Sequence, residues 1–214
     1  MRIAVIGAGQ VGGALAGAWT RAGHSLILGT RDPTDRKLAP LLATTGGPAM
    51  APPAAAAAAE LVVLAVPWSA AEATCRSLGD LGGKVLVDCT NPLIFRDDRL
   101  ALERGFTTSG GEAVAGWTTG ARVVKTLNTV GAELMADSSG LPLPPLMFMA
   151  GDDPAAKTVV APLLADLGFE PRDAGPLASA RLLEPLAMLW IDQALVHGAG
   201  RNWAFAMSRR PEQR

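Results

Sequence analysis

A glycine pattern near the start constrains this chain more than any other feature. The first thirteen residues read Met1-Arg2-Ile3-Ala4-Val5-Ile6-Gly7-Ala8-Gly9-Gln10-Val11-Gly12-Gly13. Five of the first six are apolar, and Ile3, Val5 and Ile6 are β-branched, which predicts a strand buried on both faces. Gly7, Gly9 and Gly12 form G-x-G-x-x-G, and Ala14 to Arg21 has the composition of a helix. A glycine-rich turn between a strand and a helix is the dinucleotide-binding context. Gly7 allows the tight turn, Gly9 lets a diphosphate approach the backbone, and Gly12 lets helix and strand pack closely. The helix N-terminus adds unpaired N–H groups and a positive dipole end for the phosphates.

The rest of the chain alternates apolar runs with helical stretches. Strands are expected at Ser25 to Thr30, Glu60 to Val66, Lys84 to Asp88, Arg122 to Leu127, Leu146 to Ala150 and Phe169 to Asp173, with a short edge strand at Ala49 to Ala51. Helices are expected at Pro33 to Ala43 with an interruption near Pro40, and at Ala54 to Ala59, opened by Pro52-Pro53. Others are expected at Ala70 to Leu78 with Ser69 as cap, Gly111 to Trp117, Glu133 to Ala136, and Pro154 to Leu167, capped by Asp152 or Asp153. A long helix at Ser179 to His197 should bury Leu182, Leu183, Leu186, Leu189 and Trp190. Phe95 to Phe106 reads as a charged, mobile excursion, and Arg201 to Arg214 as a polar tail carrying Trp203 and Phe205. The pattern predicts an α/β, Rossmann-like, doubly wound and mostly parallel sheet with a small C-terminal helical extension. Residues 1–178 would form the nucleotide-binding domain, and 179–214 a helix and tail completing a second pocket and offering a homodimer face.

Composition excludes several classes. With 49 % hydrophobic and 18 % charged residues, the 214-residue chain can bury a sizeable core. A net charge of -1 gives no general attraction for nucleic acid or anionic lipid. No apolar run approaches the ~20 residues of a membrane helix, and the start does not resemble a signal peptide. Cys75 and Cys89 do not make a disulfide framework, so a cytoplasmic location is expected. With no tyrosine, a dehydrogenase using a tyrosine acid is excluded. The two histidines, His24 and His197, lie far apart without a cysteine cluster, so no metal site is expected. No nucleophile or triad is visible, and no residue is assigned a catalytic role.

Cofactor choice turns on the end of the second strand. A carboxylate there would hold the ribose 2′-OH of NAD. This strand ends Gly29-Thr30-Arg31, where a hydroxyl and a planar guanidinium suit a 2′-phosphate. Arg36 and Lys37 follow and add charge. Asp32 competes as a ribose ligand, but it precedes Pro33 and equally suits a helix cap. The charge argument favours NADP(H). Ligands of a doubly wound sheet bind at the carboxyl ends of its strands, which brings in Val66, Pro67 and Trp68 after the third strand. Asn91, restricted by Pro92, follows the fourth.

Nearly the whole chain resembles the deazaflavin-dependent NADP reductase family, which shares its dinucleotide fold with the oxidoreductase domain of the STEAP metalloreductases. The residues carrying the resemblance are G-A-G-Q-V-G at the start, G-T-R after strand two and V-P-W after strand three. Later come K-T-L-N-T-V-G-A, A-G-D-D and D-A-G-P-L-A-S-A-R-L-L-E-P-L. The resemblance implies hydride transfer between NADP(H) and coenzyme F-420 (a deazaflavin), or a flavin such as FMN or FAD. It implies that Ala8, Gly9, Gln10 and Val11 hold the pyrophosphate, and that Thr30 and Arg31 take the 2′-phosphate. Val66, Pro67, Trp68 and Ala132 would lie near the nicotinamide, with Asn128 and Val130 facing the second ring. Archaeal deazaflavin members have a histidine where this chain has Asn128. An asparagine can hydrogen-bond a ring carbonyl but does not titrate near neutrality. This departure leaves a flavin or another acceptor open beside the deazaflavin. The alternatives are a pyrroline-carboxylate-type imine reductase, whose long helical second domain is missing here, and a non-enzymatic NADPH sensor.

Overall fold

The computed structural model describes residues 1–96 and 99–210. Strand β1 (Arg2–Ile6) leads through the glycine turn into helix α1 (Gln10–Arg21), and β2 (Ser25–Gly29) follows. A 3-10 turn at Arg36–Leu38 precedes α2 (Ala39–Thr45), edge strand β3 (Ala49–Met50) and α3 (Pro52–Ala58). Then come β4 (Leu61–Leu64), α4 (Trp68–Ser77), β5 (Val85–Asp88), β6 (Leu93–Arg96), β7 (Arg99–Leu102), α5 (Gly110–Trp117) and β8 (Arg122–Lys125). The chain continues with α6 (Ala132–Ala136), β9 (Leu146–Met149), α7 (Pro154–Asp166), β10 (Glu170–Asp173), a 3-10 turn at Leu177–Ser179 and α8 (Ala180–Leu195).

Six of these strands form one parallel sheet in the order β3-β2-β1-β4-β5-β8. The chain leaves β1 toward one edge and returns through β4 toward the other, so the strand order reverses between β1 and β4. This is the Rossmann-like, doubly wound arrangement, with its ligand crevice expected at that reversal. Alternation along the strands builds both cores. Ile3 and Val5 pack with Leu15, Trp19, Val160 and Leu164, which lie on α1 and α7. Ala4 and Ile6 pack on the other face with Ala55, Cys75 and Val114, from α3, α4 and α5. β4 and β5, and β1 after Arg2, are buried on both sides, which is why they read as continuous apolar runs. No helix of the described residues is long and apolar enough to cross a membrane.

Several expectations are corrected. The expected strands at 146–150 and 169–173 do not extend the parallel sheet as further members. They form β9 and β10, a separate parallel pair, joined to β8 by one reciprocal backbone pair between Lys125 and Ala150 at 2.8 and 2.9 Å. The excursion at 95–106 begins in an antiparallel hairpin, β6 with β7, because Leu93, Ile94, Leu100 and Leu102 pair across it. Asp97 and Asp98 within it lie outside the described residues. Pro40 does not interrupt a helix. It sits in the first turn of α2, where its missing N–H costs nothing. Ser69 caps nothing: α4 starts two residues earlier than that placement needs, with Pro67 at the cap. Of the two aspartates before α7, Asp153 is the cap, accepting from the Ala155 and Ala156 N–H groups. Asp152 accepts from Leu177 N.

The apolar face of α8 is rotated from the expected one. Ala180, Leu183, Ala187, Trp190 and Ala194 are buried, whereas Leu182 is 73 % and Leu189 51 % exposed. Small residues allow the close approach of α8 to α5: a Cβ on Gly111 would lie 3.1 Å from the Ala180 Cβ. The tail is not wholly polar and solvated. Trp203 stacks on Trp190 at 5.6 Å, Phe205 packs edge-on against Trp203 at 5.4 Å, and the Phe205 carbonyl accepts from Leu146 N at 2.7 Å. Residues 211–214 of that tail lie outside the described residues.

Candidate functional site

The turn after β1 depends on its glycines. Gly7 adopts φ +107° and its N–H donates to the Gly29 carbonyl at 2.8 Å, tying the turn to the end of β2. A Cβ on Gly7 would come 2.3 Å from the Ala65 carbonyl oxygen. A Cβ on Gly12 would lie 1.8 Å from the Gly7 carbonyl oxygen, so α1 could not sit so close to β1. Gly9 differs: a Cβ there would meet nothing within 4 Å. It opens onto free space at the N-terminus of α1, where no side chain caps the first N–H groups. That is the cradle a diphosphate needs.

This turn forms one wall of a cleft of about 540 Å³ at the strand-order reversal. Of the expected site residues, Gly7, Ala8, Gly9, Thr30, Arg31, Val66 and Pro67 line it together. Gln10, Val11 and Gly12 lie behind it as the first turn of α1. Asp35, Lys37, Leu38, Pro52, Ser69, Ala70 and Thr74 also line the cleft. Apart from Lys37, the sequence does not mark these as ligand contacts.

Charge is distributed unevenly along the cleft. Among the described residues, Arg31, Arg36 and Lys37 have no carboxylate partner in any ion pair. Asp32 is turned back on its own loop. Its Oδ1 accepts from the Thr34 hydroxyl at 2.6 Å and the Thr34 N–H at 2.9 Å. These bonds hold its carboxyl below the usual aspartate value of 3.8. Asp32 caps no helix either; the cap of the 3-10 turn is Asp35, which accepts from Lys37 N. The cleft end beyond β2 thus offers cations without carboxylate partners, and the carboxylate that lines it, Asp35, accepts from the Lys37 N–H at 2.9 Å.

The remaining expected residues form a second group at the carboxyl ends of β5 and β8. Asn91 Nδ2 donates to the Asn128 carbonyl at 2.9 Å. Asn128 Nδ2 donates to Asn91 Oδ1 and to the Leu183 carbonyl of α8, both at 3.1 Å. The Leu183 carbonyl only accepts, so the amide orientation is fixed. Both N–H groups of Asn128 are therefore committed, and its Oδ1 is buried without a partner. As it stands this amide cannot donate to a ring carbonyl; it can only accept. The residue before it, Leu127, holds φ +57° although bulky. Val130 and Ala132 are each 7 % exposed and, like Asn91 and Asn128, are outside the lining of the cleft.

Trp68 opens α4 beside the cleft. Its indole N–H donates to Glu103 Oε2 at 2.6 Å, just past the hairpin, and its ring lies 5.2 Å from Trp117. Between this tryptophan and α8 lies a charge cluster that sequence reasoning missed. Lys125, Asp88 and Glu184 are all fully buried. Lys125 Nζ reaches Asp88 Oδ2 at 3.0 Å, Glu184 Oε1 at 3.1 Å and the Thr90 carbonyl. Burial disfavours its ammonium, but the two carboxylates outweigh that and raise its pKa above 10.5. Glu184 also accepts from the Gly110 and Gly111 N–H groups at 2.8 and 2.9 Å, so a carboxylate of α8 caps α5. Arg181 adds a fork onto Glu112 at 2.9 and 2.6 Å. The available signal was a lysine inside the apolar run V-V-K-T-L, together with an aspartate ending V-L-V-D.

The comparisons agree with this geometry. A family model described as NADP oxidoreductase coenzyme F420-dependent matches residues 2–92. A crystal structure from Arthrobacter sp. FB24, provisionally assigned as an F420-dependent NADP reductase, is 35 % identical with a TM-score of 0.86. The match covers 97 % of this chain and 99 % of that one. The chain belongs to the coenzyme F420-dependent NADP oxidoreductase family. A hypothetical protein of Sinorhizobium meliloti is similar at 31 % identity and a TM-score of 0.72, over 84 % of this chain and 87 % of that one. The metalloreductase STEAP3 of Rattus norvegicus is 28 % identical over 198 residues, which is 88 % of this chain. The chain spans 37 % of that protein's length. Membership makes this a chain of an NADP-dependent oxidoreductase family, and the matched region, 2–92, contains the whole glycine turn and the Thr30-Arg31 end of β2.

Proposed function

We propose that the chain is an NADPH-dependent reductase that passes hydride to a deazaflavin or flavin. The observation carrying this reading is the open space over Gly9 at an uncapped helix start, continuous with a cleft whose far end holds unpaired cations. The diphosphate fits over Gly9, Gln10 and Val11, and the 2′-phosphate fits Thr30 and Arg31, with Lys37 adding charge. The nicotinamide end would then run past Val66 and Pro67 toward Trp68.

NADPH supplies the hydride, so the protein's task is to set donor and acceptor rings in contact and keep water out. Val66, Pro67 and Trp68 provide an apolar wall. Glu103 holds the Trp68 indole in orientation. Asn128 is locked by Asn91 and Leu183 with its unpartnered Oδ1 buried, so it can accept from a ligand N–H only where ligand binding uncovers it. Residues 179–214 act as an element closing the acceptor side of the 1–178 unit. Support for this comes from the Leu183 carbonyl fixing Asn128, and from Glu184 and Arg181 fastening α8 to α5. Both cysteines are free thiols, which suits a reducing, cytoplasmic setting.

The test is anaerobic NADPH oxidation with coenzyme F420, FMN, FAD and a cyclic imine supplied in turn. Turnover with a deazaflavin or flavin is expected. Tight NADPH binding without turnover on any acceptor would refute the enzymatic reading, and turnover on the imine alone would refute the acceptor class.

A further inference from the structure

Asn91 and Asn128 each sit on a loop beyond a strand end, where the sheet's own hydrogen bonds no longer fix the backbone. Lys125 does so instead. Its Nζ donates to the Thr90 carbonyl, which belongs to the same peptide unit as the Asn91 N–H. Its partner Asp88 holds the other side of Thr90: Asp88 Oδ1 accepts from the Thr90 N–H at 2.9 Å and from the Thr90 hydroxyl at 2.7 Å. Its second partner, Glu184, follows Leu183 in α8, and the Leu183 carbonyl accepts from Asn128 Nδ2. Lys125 and Asn128 themselves lie on one short stretch, K-T-L-N, at the end of β8. The segments that carry or contact the two amides therefore converge on one buried ammonium.

Stability alone does not account for such a cluster, because apolar residues of similar volume usually serve as well as a buried ion group or better. An ammonium supplies direction, with three donors, and here they are spent on Asp88, Glu184 and Thr90. We propose that Lys125 is a positioning residue of the hydride-transfer site: its ammonium fixes the Asn91–Asn128 amide pair, and with it the buried, unpartnered Asn128 Oδ1. The role in hydride transfer rests on the function proposed above; the fixing of the amides is observable without any ligand.

The test uses the full chain labelled with [15N]asparagine. Asn91, Asn128 and Asn202 are its asparagines, and Asn202 is exposed, so it serves as the internal reference. In the wild type the side-chain amides of Asn91 and Asn128 should exchange hydrogen well below the Asn202 rate, and in Lys125→Met both should speed up toward it. With coenzyme F420 or FMN as acceptor, kcat of Lys125→Met should fall about tenfold to a hundredfold, the loss that misplacing a positioned group by about 1 Å brings, while the Kd for NADPH is unchanged. Leu164→Ala is the control, a cavity in the core between α7 and β1 that lowers Tm by a comparable amount and should leave amide exchange and kcat as in the wild type. Should Lys125→Met not fold, Lys125→Met/Glu184→Gln leaves Asp88 as a single buried carboxylate and should release the same two amides. Amides as protected in the Lys125 variants as in the wild type, equal release in Leu164→Ala, or an unchanged kcat on an acceptor that the wild type reduces would overturn the proposal. A wild type that reduces neither acceptor would refute the proposed function instead, and amide exchange would still decide whether Lys125 fixes the pair.

Discussion

Removing the Glu184 carboxylate by Glu184→Ala should destabilise the chain more than any surface change. The wild-type carboxylate has no exposure and three partners, namely Lys125 Nζ and the N–H groups of Gly110 and Gly111. Its loss strands two buried N–H donors, at about 1–3 kcal/mol each, and leaves Lys125 with Asp88 as its one charged partner. Breaking a buried ionic cluster in this way costs about 3–5 kcal/mol. For a chain of this size each kcal/mol lowers Tm by about 2–4 °C, so a fall of roughly 6–20 °C is expected by thermal circular dichroism. Hydrogen exchange should speed up first in α5 and α8, the two helices the carboxylate joins. Lys125→Met in the wild-type background should be at least as costly, because Asp88 and Glu184 would then share a buried site without a cation. The double variant should cost less than the sum of the two, since the groups act together. The pH dependence follows from the raised pKa of Lys125. A raised native pKa means that the stabilisation is complete below the ordinary lysine value of 10.5, and is lost as pH climbs through the native one. A Tm change under about 2 °C for Glu184→Ala would refute the reasoning, because it would mean the cluster contributes almost nothing net.

Arg31→Ala should weaken NADPH by about tenfold or more while leaving NADH little changed, as measured by calorimetric titration of both; equal losses would contradict a phosphate seat at Arg31. Gly12→Ala should abolish binding of either nucleotide, since its Cβ would sit 1.8 Å from the Gly7 carbonyl oxygen and push α1 off β1. Retained affinity in an equilibrium titration would show that the turn tolerates the shift. Burial pushes the Cys75 thiol up to about 12 and raises Cys89 as well. Neither should react with an aromatic disulfide reagent at about pH 8 until the chain unfolds, and prompt labelling of the native chain would be inconsistent with the packing.

The sequence was informative where one local pattern had one structural outcome. Doubly buried strands appear as unbroken apolar runs, and β1, β4 and β5 were readable for that reason. The glycine turn was readable because its spacing has little use outside a close strand–helix contact. Legibility failed where a residue's role depends on what lies opposite it. The leucines at 182 and 189 and the alanines at 187 and 194 both fit helical spacing. Only the close approach of α5 decides that the smaller stripe faces inward. Nothing in R-L-L-E marks Glu184 as buried, because the helix start that it pairs with, at Gly110, lies 74 residues earlier in the chain. The hairpin was hidden by its arginines, which lie on an exposed ribbon and read as a charged loop. Asn128 could be singled out from sequence, but its polarity as an acceptor depends on the Leu183 carbonyl, which lies 55 residues further along the chain.

The central claim is that the turn after β1 grips a dinucleotide diphosphate while the residues after β2 take a 2′-phosphate. A crystal structure with NADPH bound tests it most directly. The account predicts the diphosphate over Gly9 on the first N–H groups of α1, with the 2′-phosphate against Thr30 and Arg31. An empty cleft, or a 2′-phosphate pointing into solvent away from Arg31, would contradict it.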